Sequence, residues 1–392
     1  MTPSARVQAA IEILDLVIAS ARDEGPPADA IVQAYFKTRR YAGSKDRRAV
    51  RELVFRSIRR SGEPPASGRV ALIGLAGDDP DVAAAFDGSP HAPPRIGSRE
   101  KASEPSLLPQ WIEHELSALV IPDERPALLD RAPLDLRINV ARTSRDATIE
   151  AFDGAEPTPL SPWGLRLPPD SRVTEHPAFT EGLAEVQDEG SQLIALACGA
   201  QPGQRIVDLC AGAGGKSLAL AAAAGGKAEI ITCDTSRARL SKLPDRARRA
   251  GALIATRLLD APREAEELLD LRGSADVVLV DAPCSGSGTW RRNPEGRWRL
   301  TPERLKRVIA LQERVLDLAA PLVKPGGKLV YAVCSLLTRE GADQVSGFLG
   351  RHSGWTVQDP LENVGRWDGA GKLLSPGHDR TDGFFIACLA RP

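Results

Sequence analysis

Short apolar runs alternate with amphipathic segments from about residue 187 to the end of the chain. The apolar runs have the length and composition of buried strands, at 205–210, 228–234, 253–260, 275–281 and 327–334. Apolar residues recur at helical spacing in the segments between them, at 216–224, 236–250, 263–271 and 302–323. Because such alternation is typical of a parallel sheet covered by helices on both faces, it predicts an α/β domain over 187–392. A further apolar run at 381–391 predicts a terminal strand.

The first half of the chain has a different pattern. Residues 1–62 show helical periodicity without strand-like alternation, which predicts a small all-helical domain. Residues 63–105 are rich in proline, glycine, serine and alanine, and they predict a linker or a loosely packed extension. Residues 106–186 predict a small α+β subdomain. Its one helix-like and two strand-like segments lie at 107–120, 134–143 and 163–169.

Length and composition are those of a globular protein with two or three domains, since the chain has 392 residues. It contains no apolar stretch of about 18 residues and no secretory segment at its N-terminus, so we expect a cytoplasmic protein without a membrane span. The six cysteines form no Cys-x-x-Cys pair and no cluster with histidine. We therefore expect reduced thiols and no metal site.

Charge gives a mixed indication about the partner. The net charge of −1 is not that of a typical nucleic-acid-binding protein. The cations are nevertheless concentrated in three clusters, at 37–60, 237–249 and 290–299. Three clusters on a nearly neutral chain predict a surface that is basic on one side, as a nucleic-acid partner requires.

A glycine-rich turn follows the first predicted strand of the α/β domain, in the stretch VDLCAGAGGKS at 207–217. Glycines permit tight turns and close approach to a ligand, but the spacing matches neither the dinucleotide fingerprint nor the phosphate-binding loop. Asp234, Asp260 and Asp281 end the next three predicted strands, along the edge where open α/β sheets bind ligands. The pattern predicts an adenosine-bearing cofactor and favours S-adenosylmethionine over NAD.

Two thiols leave apolar strands at the same edge of the predicted sheet. Cys284 follows the fourth strand, three residues after Asp281, and Cys334 ends the fifth. A thiolate that adds to carbon 6 of a pyrimidine makes carbon 5 nucleophilic enough to accept a methyl group, and a nearby carboxylate stabilises the adduct. The adduct must later lose a proton and expel the thiolate, a stage that a second thiol can assist. These residues alone leave open which cysteine has which role.

Five ordered motifs resemble the RNA cytosine-5 methyltransferases, most closely the bacterial RsmB/Nop/Sun group. They are QDEGSQLIA, VDLCAGAGGKS, DAPCSGSGTWRRNPE, YAVCSLLTREG and LLSPGHDRTDGFF. The N-terminal helices, with YAGSKDRRAVRELVF at 41–55, resemble the NusB-type RNA-binding domain of RsmB-like enzymes. The resemblance implies a Rossmann-like class I methyltransferase domain, preceded by the small α+β subdomain and an all-helical NusB-like domain.

The resemblance also implies roles for individual residues. Cys334 is the expected nucleophile and Cys284 the residue that promotes product release, with Asp281 beside them. The expected S-adenosylmethionine site consists of Cys210, Ala211, Gly212, Ala213, Gly214, Gly215, Lys216, Asp234, Asp260 and Asp281. This chain has CAGAGGK where many relatives have Ala-Ala-Pro after the cysteine, and AVCS where TCS is common. The small residues at 212 and 213 keep the loop compact, so binding is expected to survive.

The leading hypothesis is methylation of carbon 5 of a cytosine in ribosomal RNA, of the small subunit, by a monomeric enzyme. One alternative is the same chemistry on transfer RNA or DNA. Another is a noncatalytic RNA-binding assembly factor that retains a methyltransferase fold. Loss of a motif cysteine or of the acids would favour the second alternative, and all of them are present.

Overall fold

The computed structural model describes residues 1–23, 25–168 and 171–392. These residues form two compact units. The helical unit contains Met1–Leu116, Arg125–Asp130 and Thr289–Arg304, and the α/β unit contains Ser117–Glu124, Arg131–Gly288 and Leu305–Pro392. Among the described residues, no helix has both the length and the apolar character needed to cross a membrane.

Helices occur throughout the described chain. In chain order they are α1 (Pro3–Arg22), α2 (Ala28–Lys37), α3 (Ser44–Arg60), α4 (Gly68–Asp78), α5 (Pro80–Ala84), α6 (Arg145–Ile149), α7 (Pro177–Thr180), α8 (Glu189–Cys198), α9 (Gly215–Ala223), α10 (Arg237–Leu240), α11 (Leu243–Ala250), α12 (Glu264–Glu267), α13 (Gly296–Arg299), α14 (Pro302–Ala319), α15 (Ala342–Arg351) and α16 (Pro376–Asp379). Short 3₁₀ segments lie at Gln110–His114, Pro122–Leu128, Leu269–Leu271, Ser287–Thr289, Ala320–Leu322 and Thr338–Glu340.

Strands begin after residue 130. They are β1 (Leu134–Ile138), β2 (Glu156–Pro157), β3 (Gly164–Leu167), β4 (Ala184–Val186), β5 (Arg205–Asp208), β6 (Glu229–Asp234), β7 (Ala255–Leu258), β8 (Ala275–Asp281), β9 (Val323–Val333), β10 (Thr356–Gln358), β11 (Arg366–Asp368), β12 (Gly371–Leu374) and β13 (Phe384–Ala390).

The helical unit is built around α1, whose first turn is capped by the Thr2 hydroxyl and opened by a proline. Its buried face packs with α3 and with α4, where Leu72 is fully buried in the same core. The segment predicted as a loose extension therefore contains a helix of this core. The stretch 289–304 also belongs here, since the Trp298 indole is buried and donates a hydrogen bond of 2.8 Å to the carbonyl of Ser61.

The main sheet of the α/β unit confirms the predicted fold class. Its strand order is β11-β12-β13-β9-β8-β5-β6-β7, with β10 beside β13. The strands β5 to β9 are parallel, and β13 lies antiparallel between β9 and β12. Fully buried side chains such as Val277, Leu279 and Val330 explain why these strands read as continuous apolar runs.

A second, antiparallel sheet of order β2-β3-β1-β4 lies within 134–186 and has its own core around Leu136 and Leu165. The predicted strand 163–169 is β3, and its position 169 lies outside the described residues. The helix predicted at 107–120 is wrong, because only the 3₁₀ turn Gln110–His114 forms there. Pro109 precedes that turn and has no N–H to donate to an earlier helical turn.

Candidate active site

A cavity of about 730 Å³ opens at the carboxyl ends of the parallel strands. Its walls come from the loops after β5, β6, β7, β8 and β9 and from one face of α14. The predicted site residues among its lining are Cys210, Ala211, Gly212, Ala213, Asp234, Asp281, Cys284 and Cys334. Sequence reasoning placed these residues along one sheet edge, and the structure brings them to one cavity.

The loop between β5 and α9 takes a tight path that two of its glycines make possible. Gly212 and Gly214 have φ angles of 58° and 79°, in the left-handed region that favours glycine. A Cβ atom on Gly214 would lie 2.2 Å from Cδ1 of Leu243. The loop therefore packs against α11 as closely as an α-carbon without a side chain allows.

We expect Gly214→Ala to cost roughly 3 kcal/mol of folding stability, because it adds the clash with Leu243 to the backbone strain. Gly226→Ala is the matched control, since Gly226 has a φ of 71° but open space around its Cβ position. It should cost about 1 kcal/mol. Thermal and denaturant unfolding measure both losses, and equal losses would contradict the close packing against α11.

Acids follow three of the strands, but they have different surroundings. Asp234 is buried and accepts hydrogen bonds from the N–H of Gly212 (2.7 Å) and the N–H of Ser236 (2.6 Å). Its carboxylate thus holds the glycine loop while it lines the cavity. Asp260 is exposed, and of the described residues around it Leu259 and Ala261 line the cavity instead. The structure does not bring Asp260 together with the other predicted residues.

Asp281 forms an ion pair with Lys216 at the end of β8. The Lys216 Nζ atom donates to Oδ2 of Asp281 at 2.7 Å, and the lysine side chain is only 12% exposed. Burial disfavours the ammonium form, but the negative charge of Asp281 outweighs it, and the pKa of Lys216 is raised above its ordinary value. The pair places a fixed positive charge and a carboxylate beside the two cysteines.

The two predicted thiols are direct neighbours. The Sγ atoms of Cys284 and Cys334 lie 3.2 Å apart, and both cysteines are free. The hydrogen bond with Cys334 and burial raise the pKa of the Cys284 thiol well above its ordinary value. The contact places both sulfur atoms where one base can meet them.

Sequence reasoning missed several polar residues that line the cavity or are adjacent in sequence to residues that do. Asp208 at the end of β5 is fully buried, accepts the Ser217 hydroxyl at 2.6 Å, and has its pKa raised to about 7 by burial. Glu264 and Arg314 form a two-point ion pair of 2.7 and 3.1 Å on the cavity wall. Asp208 could have been identified from the sequence, because it ends a strand just as Asp234 does. Nothing near Glu264 in the sequence marks it, because its partner is 50 residues away.

The three basic clusters serve different purposes. In 237–249, Arg246 donates to the Ala213 carbonyl at 2.6 Å and pairs with Glu185, so part of this cluster supports the glycine loop. In 290–299, the buried Arg297 donates to the Ile58 carbonyl at 2.6 Å inside the helical unit. In 37–60, several cations are exposed, namely Lys37, Arg40, Lys45 and Arg48. Metal-binding groups of three or more His, Cys, Asp or Glu side chains are absent from the described residues.

The strand order and the cavity at the strand ends are those of a Rossmann-like methyltransferase fold. A sequence profile of the family described as 16S rRNA methyltransferase RsmB/F matches residues 195–390, and the chain belongs to that family. The resemblance inferred from the motifs is thereby confirmed.

Relatives and solved structures agree with this membership. The chain is 33% identical over 293 residues to ribosomal RNA small subunit methyltransferase B of Salmonella paratyphi C, covering 73% of this chain and 66% of that protein. It is 35% identical over 269 residues to the probable ribosomal RNA small subunit methyltransferase B of Synechocystis sp., covering 66% of this chain and 60% of that protein. The match thus spans somewhat less than two thirds of these relatives. The crystal structure of PH0851 superposes with a TM-score of 0.78 at 23% identity over 99% of each chain, which shows a common fold.

Proposed function

We propose that this protein transfers a methyl group from S-adenosylmethionine to carbon 5 of a cytosine in small-subunit ribosomal RNA. The observation that carries the proposal is the pair of thiols 3.2 Å apart on the cavity wall, next to the Asp281–Lys216 ion pair. The family supports ribosomal RNA as the substrate, since its description and the names of the curated relatives specify that RNA.

The residues at the cavity fit S-adenosylmethionine. A volume of about 730 Å³ is within the range of small-molecule sites. Asp234 and Asp281 supply carboxylates, which accept hydrogen bonds from ribose hydroxyls or an ammonium group. The compact Gly212–Ala213 turn lets backbone atoms come close to a ligand. Bound here, the cofactor supplies the electrophilic methyl group of the reaction.

Three side chains of this protein then act on the base. The Cys334 thiolate adds to carbon 6 of the cytosine and forms a C–S bond, which shifts electron density to carbon 5. Asp281 hydrogen-bonds the ring and, through Lys216, is kept in place as charge develops. After carbon 5 is methylated, its proton passes to a base or to solvent, the electron pair of that C–H bond restores the C5–C6 double bond, and the Cys334 thiolate leaves with the electron pair of the C–S bond. Cys284, in contact with Cys334, assists this last stage.

The RNA must present its base outside a helix. A cytosine stacked in a duplex is inaccessible to a cavity at a sheet edge, so the target is a loop nucleotide or one that is extruded. The exposed cations of 37–60 in the helical unit are suited to contact RNA phosphates, in keeping with the NusB-type resemblance. We therefore assign RNA binding to the helical unit and chemistry to the α/β unit.

The test is methyl transfer from labelled S-adenosylmethionine to three separate substrates: under-methylated small-subunit rRNA, transfer RNA and DNA. After digestion, 5-methylcytidine found in the rRNA alone supports the proposal. The same nucleoside in transfer RNA or DNA instead would establish the chemistry and correct the substrate. RNA binding without transfer to naked rRNA or to assembly intermediates would favour a noncatalytic assembly factor.

We expect Asp281→Asn to lower methyl transfer roughly 100-fold, because it removes the charge that holds Lys216 and supports the adduct. Asp276→Asn is the matched control, since Asp276 lies near the other end of β8 and accepts the N–H of Arg205 at 2.8 Å. It should leave the rate within about twofold, as expected for a change remote from the chemistry. The measurement is the single-turnover rate of methyl transfer by each variant with saturating RNA. Equal rates for the two variants would show that Asp281 has no part in the mechanism.

A further inference from the structure

One buried carboxyl group lies between the two cysteine loops. Glu340, in the 3₁₀ turn after β9, is fully buried. Its Oε1 atom accepts the N–H of Ser285 at 2.8 Å, and its Oε2 atom accepts the hydroxyl of Ser335 at 2.5 Å. Ser285 directly follows Cys284, and Ser335 directly follows Cys334. The two oxygens of one side chain therefore hold the residues next to both thiols.

Gln312 of α14 extends this connection to the other side of Cys284. Its Nε2 atom donates to the carbonyl of Pro283 at 3.0 Å and to Oε1 of Glu340 at 2.9 Å. The residues before and after Cys284 are thus tied to the same carboxyl group. Gln312 is fully buried, so water does not compete for these bonds.

A second layer of bonds fixes Ser335 itself. Its Oγ atom lies 3.0 Å from Oγ of Ser287 and accepts the N–H of Leu337 at 3.1 Å. The Ser287 hydroxyl in turn accepts the N–H of Leu336 at 2.9 Å. Both cysteine loops consequently share one buried hydrogen-bond network, and Glu340 adds to it a carboxyl group that bonds each loop.

We propose that Glu340 and Gln312 are positioning residues that set the separation of Cys284 and Cys334, and so permit the second thiol to act on the adduct formed by the first. The catalytic effect of this positioning rests on the proposed function, whereas the hydrogen bonds and the separation of the thiols do not. Release of the product requires two sulfur atoms at the same base, and a displacement of about 1 Å is enough to lower such a reaction substantially.

The proximity of the thiols is measurable without RNA or cofactor. In the parent protein, diamide should join Cys284 to Cys334. Each thiol loses its proton, the S–S bond forms, and diamide takes up two protons and two electrons to become the hydrazine. Peptide mapping identifies this disulfide among the six cysteines. Its rate of formation reports how often the two sulfurs meet.

The variant Glu340→Asp keeps the carboxyl group and shortens the side chain, so it can no longer reach both loops. We expect it to slow the crosslinking roughly tenfold. Gln312→Met, which has a similar volume but no donor, should slow it as well. Glu189→Asp is the matched control, because Glu189 is equally buried but accepts the N–H groups of Leu160 and Ser161 instead. Its crosslinking rate should equal that of the parent.

The outcomes separate this inference from the proposed function. Slower crosslinking in both test variants, with cooperative melting retained, supports the positioning role even if the parent methylates no RNA. Parent-like or faster crosslinking in the folded variants overturns the role, whatever the methyl-transfer assay gives. Should Glu340→Asp fail to melt cooperatively, Gln312→Met decides. With an active parent, the variants should also show a lower kcat at unchanged KM and a longer-lived RNA adduct.

Discussion

Cys334→Ala is expected to lower methyl transfer to RNA by at least about 10⁴-fold, the scale found when a covalent nucleophile is removed. The residue lines the cavity directly after β9, and its Sγ atom is 3.2 Å from that of Cys284. Without a sulfur at position 334 no C–S bond forms at carbon 6, and carbon 5 of cytosine stays a poor nucleophile. The measurement is incorporation of labelled methyl into rRNA under single-turnover conditions.

Cys198→Ala is the control for this substitution. Cys198 is fully buried in the core of the main sheet, where burial raises the pKa of its thiol, and it has no place in the mechanism. Its loss should reduce stability by about 1 kcal/mol and leave transfer largely intact. Activity of Cys334→Ala within tenfold of the parent would contradict the nucleophile assignment. Activity that Cys284→Ala loses and Cys334→Ala retains would exchange the roles of the two thiols.

Much of the α/β unit was predictable because its chemistry follows the geometry of a parallel sheet. Side chains that end parallel strands meet at one edge, and Asp281, Cys284 and Cys334 were located on that basis alone. The spacing could not assign roles to the two cysteines, because both leave a buried strand for a polar loop. The structure adds the direct Sγ–Sγ contact, which is symmetric, so the roles of the two thiols remain those that the family resemblance implies.

Other parts depend on contacts between distant segments, which periodicity does not encode. Glu340 lies in a short polar turn and has the sequence character of an exposed residue, yet it is fully buried. Its hydrogen-bond donors Gln312 and Ser285 are 28 and 55 positions away in the sequence. Asp260 is the opposite case: its position at the end of a predicted strand suggested a place in the site, but its side chain is exposed. In the helical unit, Trp298 comes from a segment that follows the Cys284 loop in sequence, so no local pattern could have assigned it there.

We expect Cys284→Ala to form the covalent RNA adduct but to release the methylated product slowly. Addition of Cys334 to carbon 6 and methylation of carbon 5 do not use the Cys284 sulfur, so single-turnover methyl transfer should persist. Release of the product should slow roughly 100-fold, the contribution typical of a lost acid–base or assisting group. A covalent complex of protein and RNA is therefore expected to accumulate and to survive a denaturing gel as a band of reduced mobility.

The double variant Cys284→Ala, Cys334→Ala is the matched control, because it retains the altered loop but lacks the sulfur that forms the bond. It should give no such band with the same RNA. Mass spectrometry of the digested complex should place the nucleotide on the peptide that contains Cys334. A band that persists in the double variant would show that another residue forms the bond. Undiminished turnover by Cys284→Ala would mean that release needs only one thiol, and the 3.2 Å contact would then serve packing rather than catalysis.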